Sequence, residues 1–525
     1  RQRQMCIRDR AINYDYFAEN MEQGNFEDGD VFCFAGGVYK LSSPDFDKYL
    51  TVNRSVTFLG GFDPNSTGTN TDITYPSPYE TVISGAIESD VAAVPGNRTH
   101  LWYVERKDGD QGVRINVTVK GFTFKHAFRN FDSSLTYRGA MVVLNTDLNL
   151  EYCKFIQNGS AFDGGTLTLM ASYANISDCV FSENFAAQKG AALALFTTSK
   201  YPGEDVKTIA VVQRTQFTDN YFTTDFYPDS KKVDGKPNYD NKLRGTAVFM
   251  GTEDNHRIYT YLVNCLLADN YTEGFGVINA YAGASLYMIS CTLANKDYTA
   301  EQEERTVGGV DAGRGLGVFS YGGYNYMANN YIVNGTLGEA AATNPPVLMC
   351  RKDADRPGKW YSGGYNLTGT AWYCTTWASP RDRTQDPSVQ DDHDDGTGKT
   401  VQGTYLYLND NDEESYTYAD VFGSNTFGDN GGSNQTLIPV SPVKSLTLDE
   451  LNALKTEWDL PENIDLTVDQ RGYKRAATTC VGSYDGDATS GIADVTVADR
   501  LTISTLGNGL FRVNGAEAEA TVYNL

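Results

Sequence analysis

The chain has 525 residues, a formal net charge of −24 and a hydrophobic content of 40%, which is ample for a sizeable core. The charge argues against nucleic acid and against anionic membrane surfaces as partners. It suits a soluble extracellular protein, or one that binds cations or neutral glycans. No run of about 18 apolar residues occurs, so no membrane span is expected, and nine cysteines in this length do not make a disulfide scaffold.

Residues 1–10 show no period and a charge balance unlike that of the rest of the chain. They are expected to be a non-native leader that lies outside the fold with Cys6, the native start and any signal peptide lying upstream. Residues 11–24 predict a short helix with Ile12, Tyr16 and Phe17 on one face and Gly24 as its stop. Strand-like runs come next at 28–39, 55–62 and 80–85, with a Pro/Asn/Thr-rich loop at 63–79 read as surface decoration. The isolated His100 and His126 read as surface or turn residues.

From 153 onward a unit repeats. Cys153-Lys154-Phe155-Ile156-Gln157-Asn158 precedes Gly164-Gly165-Thr166-Leu167, and Cys179-Val180-Phe181-Ser182-Glu183-Asn184 precedes Gly190-Ala191-Ala192-Leu193. Thr215 to Asn220 precedes Gly245, Cys265 to Asn270 precedes Gly276, and Cys291 to Asn295 precedes Gly315. Cys153 and Cys179 are 26 residues apart, as are Cys265 and Cys291. A fixed period of this size marks a stacked architecture. One coil with a single apolar face cannot bury it alone, whereas coils stacked about 4.8 Å apart close a continuous core. The expected fold is all-β, a right-handed parallel β-helix spanning 11–485 with a helical cap at its N-terminal end. Cys153, Cys179, Cys265 and Cys291 then form a ladder of small buried side chains.

The Phe-x-x-Asn and Gly-Gly-Thr-Leu elements resemble the paired repeats of polymorphic outer-membrane-protein-type β-helices. The chain as a whole is similar to large surface β-helix proteins of Bacteroidota. Ser362 to Leu367, and later Asp469-Gln470-Arg471-Gly472 with Val481-Gly482-Ser483-Tyr484-Asp485, resemble that family's closing coils. Residues 486–525, ending in Ala520-Thr521-Val522-Tyr523-Asn524-Leu525, resemble the start of a type IX secretion C-terminal sorting domain. The resemblance implies secretion through that machinery and an extracellular or outer-membrane-surface location.

Three places carry candidate chemistry. Insertions interrupt the repeats near 199–206, 221–243 and 297–312, and loops on the side of a solenoid are where binding usually sits. The second is aromatic at Tyr221, Phe222, Phe226 and Tyr227, which either stack on sugar rings or fold back on the coil surface. Glu183, Asp219 and Asp269 share one repeat phase, while Lys189 and Arg244 precede the Gly of the same turn. β-Helix lyases combine Ca²⁺-binding carboxylates with an Arg base; the same residues also make an ordinary charge ladder in which the cations neutralise the row. Asp391, Asp392, Asp394 and Asp395 form an acidic run that is either a Ca²⁺ site or a solvated loop. Cys350 and Cys374 flank a loop-like stretch and either pair in an oxidising compartment or stay free.

The resulting expectation is a surface β-helix that adheres to glycans or to a host or neighbouring cell without catalysis or a required cofactor. A polysaccharide lyase or glycoside hydrolase on the same scaffold, and a purely structural stalk, are the alternatives.

Overall fold

The computed structural model describes residues 4–6, 14–65, 73–88, 90–106, 113–130, 132–135, 139–198, 200–201, 206–223, 225–226, 232–233, 236–237, 244–251, 258–270, 276–281, 284–296, 317–334, 348–351, 359–368, 371–372, 417–488, 502–507 and 510–514. Asp391, Asp392, Asp394, Asp395, Tyr227 and Cys374 lie outside them, as do most of the leader, of the three insertions and of 486–525.

Among these residues, three long sheets run along the molecule and one short four-stranded sheet spans its middle coils, every pairing within them parallel. One coil shows the plan. Tyr173–Ser177 lies in the eleven-stranded sheet, Val180–Ser182 in one ten-stranded sheet, Phe185–Ala186 in the four-stranded sheet and Leu193–Phe196 in the other ten-stranded sheet. Each strand pairs with its counterpart one coil before and one coil after. This is a parallel β-helix. The strands are short because a corner comes after two to seven residues, and the inward side chains at alternate positions supply the core.

Identical phases stack as the spacing predicts. Phe155 pairs with Phe181 and Phe181 with Phe217, and their rings lie 4.8 and 4.9 Å apart at 4° and 7°. Cys153, Cys179, Cys265 and Cys291 are buried free thiols. Cys179 Sγ accepts the Cys153 amide and Cys291 Sγ accepts the Cys265 amide, and burial raises the pKa of both acceptor thiols. Asn158, Asn184, Asn220 and Asn270 form a second ladder, each amide donating to the next side-chain oxygen at 2.8–3.1 Å. The buried turn is thereby satisfied without water. Gly164, Gly190, Gly245 and Gly276 all sit at φ between 59° and 71°; a Cβ on Gly245 would come within 2.3 Å of the Val248 carbonyl oxygen, so glycine is required there.

Helix α1, Tyr14–Glu22, caps the first coil. Its buried face is Tyr14, Phe17, Ala18 and Met21, one helical stripe, and Tyr16 is 60% exposed rather than part of it. Phe17 packs on Phe32 and Phe34 at 5.1 and 5.5 Å, and Trp102 Nε1 donates to the Tyr14 hydroxyl. Gln4–Cys6 pairs with Val31–Cys33 in parallel, so this part of the leader joins the sheet edge. His100 is not a surface residue. It is buried beside Tyr49 and Tyr103, with Nδ1 on the Gly139 carbonyl, and burial lowers its pKa to about 4. His126 does occupy a turn, at φ 62°, but it too is buried.

Residues 417–488 do not add coils. Ser362 to Leu367 belongs to the closing strands Lys359–Gly364 and Leu367–Thr368, which Ala371–Trp372 follows. The segment from 417 instead runs back along the outside as a strap carrying α2, Tyr418–Phe422, and α3, Leu448–Glu457. Leu451, Leu454 and Trp458 pack over outward side chains of the eleven-stranded sheet, including Tyr261, Tyr287 and Tyr326, whose rings stack at 4.5 and 4.4 Å. Beyond the strap, Thr502–Gly507 and Leu510–Asn514 pair as an antiparallel hairpin.

Candidate functional site

The acidic row forms as its spacing implies. Ser182 pairs with Thr218 and Thr218 with Ala268, so Glu183, Asp219 and Asp269 occupy one corner of three successive coils, about 4.8 Å apart. All three are left-handed, at φ 55°, 56° and 51°. Gln157 Nε2 donates to Glu183 at 2.9 Å, and the Lys296 amide donates to Asp269 at 2.7 Å. Asp219 lies between two carboxylates. Its tip reaches solvent, yet partial burial, then Asp269 and Glu183, raise its pKa to about 6. Burial also raises that of Asp269, against the Lys296 contacts.

The basic residues do not complete this row. Lys189 and Arg244 are in register with each other, but across the short sheet from it. Lys189 pairs with Asp163 at 3.7 Å, and the Arg244 guanidinium lies over the Tyr281 ring at 4.2 Å. These two cations therefore do not neutralise the row, and the pKa of its middle member stays raised. A native carboxyl with a pKa near 6, against about 3.9 in an unfolded chain, makes the fold less stable as pH rises from about 4 to about 6. Asp219→Asn is therefore expected to raise the melting temperature at pH 8, with the gain shrinking as pH falls below 5. Parallel melting curves for both proteins at the two pH values would contradict this.

The aromatic insertion folds back on the coils where it is described. Tyr221 stacks on Phe185 at 5.5 Å, Phe222 is fully buried, and Phe226 contacts Phe128 and Phe185 at 5.1 and 5.5 Å.

A third place, unmarked by the sequence patterns, lies at the other left-handed corner. Gly121, Tyr152, Asp178, Arg214, Asn264, Ser290, Asn329 and Tyr365 each have φ between 49° and 75° and succeed one another coil by coil. Four of them, Tyr152, Asp178, Asn264 and Ser290, directly precede a residue of the Cys ladder, and that position is the signal by which the set is found. Register places Arg214 beside Asp178, and the pair is bidentate at 3.0 and 2.7 Å. Burial works against the Arg214 charge, but Asp178 more than offsets it and holds the pKa up. The strap roofs this corner. Ser433 donates to Asp178, Asn434 to the Cys179 and Arg214 carbonyls, and Arg475 to Asn264.

At Tyr152 the roof stops. The loop at 73–79, expected to be decoration, approaches from the N-terminal side, its Tyr75 hydroxyl on the Gly60 carbonyl and its ring parallel to Tyr152 within 15° at 5.6 Å. Between loop and strap lies a cleft of about 440 Å³, bordered by Tyr75, Tyr152, Asp178, Arg214, Asp465 and Arg471.

No family model matches the chain, and no curated protein does. Among solved structures it is similar to ORF18 of Geobacillus virus E2, with 13% identity and a TM-score of 0.28 over 66% of this chain. The match spans about half of that chain, 54%, and at this score it bears on neither fold nor function.

Proposed function

We propose that the chain is an extracellular, surface-displayed β-solenoid that holds glycans without cleaving them. The observation that carries this reading is the separation of acid from base. The carboxylates Glu183, Asp219 and Asp269 stand on one corner, while Arg244, the base a lyase would use, stacks on Tyr281 across the short sheet. General base catalysis needs the base within hydrogen-bond reach of the proton it removes, and a substrate laid on the acidic row would not have Arg244 there. A rigid row of coils with a polar cleft in its side suits binding instead. The Phe-x-x-Asn repeats support display on the cell surface, and the C-terminal resemblance supports export by type IX secretion.

The test is retention of the full chain on immobilised neutral and acidic polysaccharides, with the supernatant assayed for reducing ends and unsaturated sugars. Retention without soluble products is expected. Products abolished by Asp219→Asn or Arg244→Ala would make the protein an enzyme, and no retention on any polysaccharide would remove the glycan reading.

A further inference from the structure

We infer that the cleft at the left-handed corner is the sugar subsite, and that it takes a neutral pyranose. This rests on the glycan-binding reading and adds its location and its chemical selectivity. The volume of about 440 Å³ falls within the range of about 300–1,000 Å³ typical of ligand clefts, with room for a mono- or disaccharide.

Its two sides are chemically different. On one side are the rings of Tyr75 and Tyr152, with the Lys120 ammonium 4.8 and 5.4 Å from their centroids. Aromatic rings offer flat apolar area for the C–H face of a sugar, and a phenol adds a polar tip. The Tyr152 hydroxyl makes no hydrogen bond among the described residues, so it is open to one.

On the other side are groups already locked in place. Arg214 uses Nε and Nη2 on Asp178, and Asp178 is further held by the Ser433 hydroxyl at 3.1 Å. Arg471 likewise uses Nε and Nη2 on Asp469, and its guanidinium lies 4.4 and 4.1 Å from the Tyr473 and Tyr484 rings. Each guanidinium keeps Nη1 without a partner among the described residues. Asp465 accepts from the Thr467 amide and hydroxyl through Oδ1 alone, leaving Oδ2 as an acceptor. Fixed donors and a fixed acceptor bordering one cleft match neighbouring sugar hydroxyls, each of which both donates and accepts. Little ordering cost remains for binding, because these side chains are held before a ligand arrives.

Charge decides between sugar classes. Each arginine already has its carboxylate, Lys120 is paired with Glu151 at 2.8 Å, and Asp465 adds a negative charge at the rim. A uronate or sulfated sugar therefore meets no uncompensated cation, and entering the cleft costs it the hydration of its own charge.

The experiment titrates the full chain, by calorimetry, with the methyl glycosides of glucose, galactose and mannose and with galacturonate and glucuronate. At least one neutral glycoside is expected to bind, with both uronates weaker. Tyr152→Ala and Asp465→Ala are each expected to weaken it about tenfold, while Asp219→Asn and Tyr221→Ala leave it unchanged. Both cleft variants alter partly exposed side chains, and circular dichroism checks that they fold. Retention on polysaccharide with no binding of any neutral glycoside, or with binding indifferent to both cleft variants, overturns this site and leaves the glycan reading standing. Tighter binding of a uronate overturns the selectivity. Absence of both retention and binding overturns the two together.

Discussion

Phe181→Ala is expected to lower the unfolding free energy by about 3–5 kcal/mol, the cost of emptying a filled aromatic slot. Phe181 is fully buried, with Phe155 and Phe217 stacked on its two faces at 4.8 and 4.9 Å. The slot cannot collapse, because the coils above and below are fixed by parallel ladders through Val180–Ser182. Stability in a solenoid is a sum of local terms, so the loss should concentrate in neighbouring coils. Hydrogen exchange resolved along the chain, together with urea unfolding, measures it. A cost below about 1 kcal/mol would mean that this phase does not face a closed core. Tyr16→Ala, at an exposed site on α1, is the control and should fall within about 0.5 kcal/mol of zero.

Asp485→Ala is expected to release the strap. Asp485 and Arg475 face each other at 3.5 Å with both side chains fully buried. Burial pulls the Arg475 pKa down, against the neighbouring Asp485 and Asp469. Arg475 also donates to the Val468 and Gly482 carbonyls and to Asn264 Oδ1 on the solenoid. Removing one partner of such a pair leaves an uncompensated charge in the interior, a loss of about 3–5 kcal/mol. Residues 417–488 should then exchange amide hydrogens and yield to protease much faster, while strands such as Val180–Ser182 keep their protection. Sugar affinity should fall with the strap, since Asp465 and Arg471 come from it. Unchanged protection of 417–488 would show that the strap is held by its apolar contacts alone.

The coil was legible in the sequence because its core phases repeat in kind. Phe155, Phe181 and Phe217, the four ladder cysteines and the turn asparagines each need one side-chain type at one place, so the spacing reveals them. The acidic row was legible for the same reason. The second left-handed corner was not, because a solvent-side corner admits many types, here Tyr152, Asp178, Arg214, Asn264 and Ser290. Its far wall comes from a distant stretch: Ser433 lies 255 residues beyond Asp178. The period of residues 11–24 predicts helix α1 but places Tyr16 on its inner face, since Tyr16 is as aromatic as Tyr14 and only the packing of Phe17 on Phe32 fixes the rotation. The Asp469-Gln470-Arg471-Gly472 stretch resembles a closing coil by sequence. Its carboxylate instead holds Arg471 and the Arg471, Tyr473 and Asp485 amides in a compact turn on the solenoid flank.

A crystal structure of the full chain grown with a neutral disaccharide decides whether this solenoid holds a neutral sugar at its left-handed corner without cutting it. An intact sugar is expected against Tyr75 and Tyr152, with hydroxyls within hydrogen-bond distance of Arg214 Nη1 and Asp465 Oδ2. Sugar density along Glu183, Asp219 and Asp269, above all as a cleaved fragment with Arg244 turned towards it, would contradict both the site and the absence of catalysis.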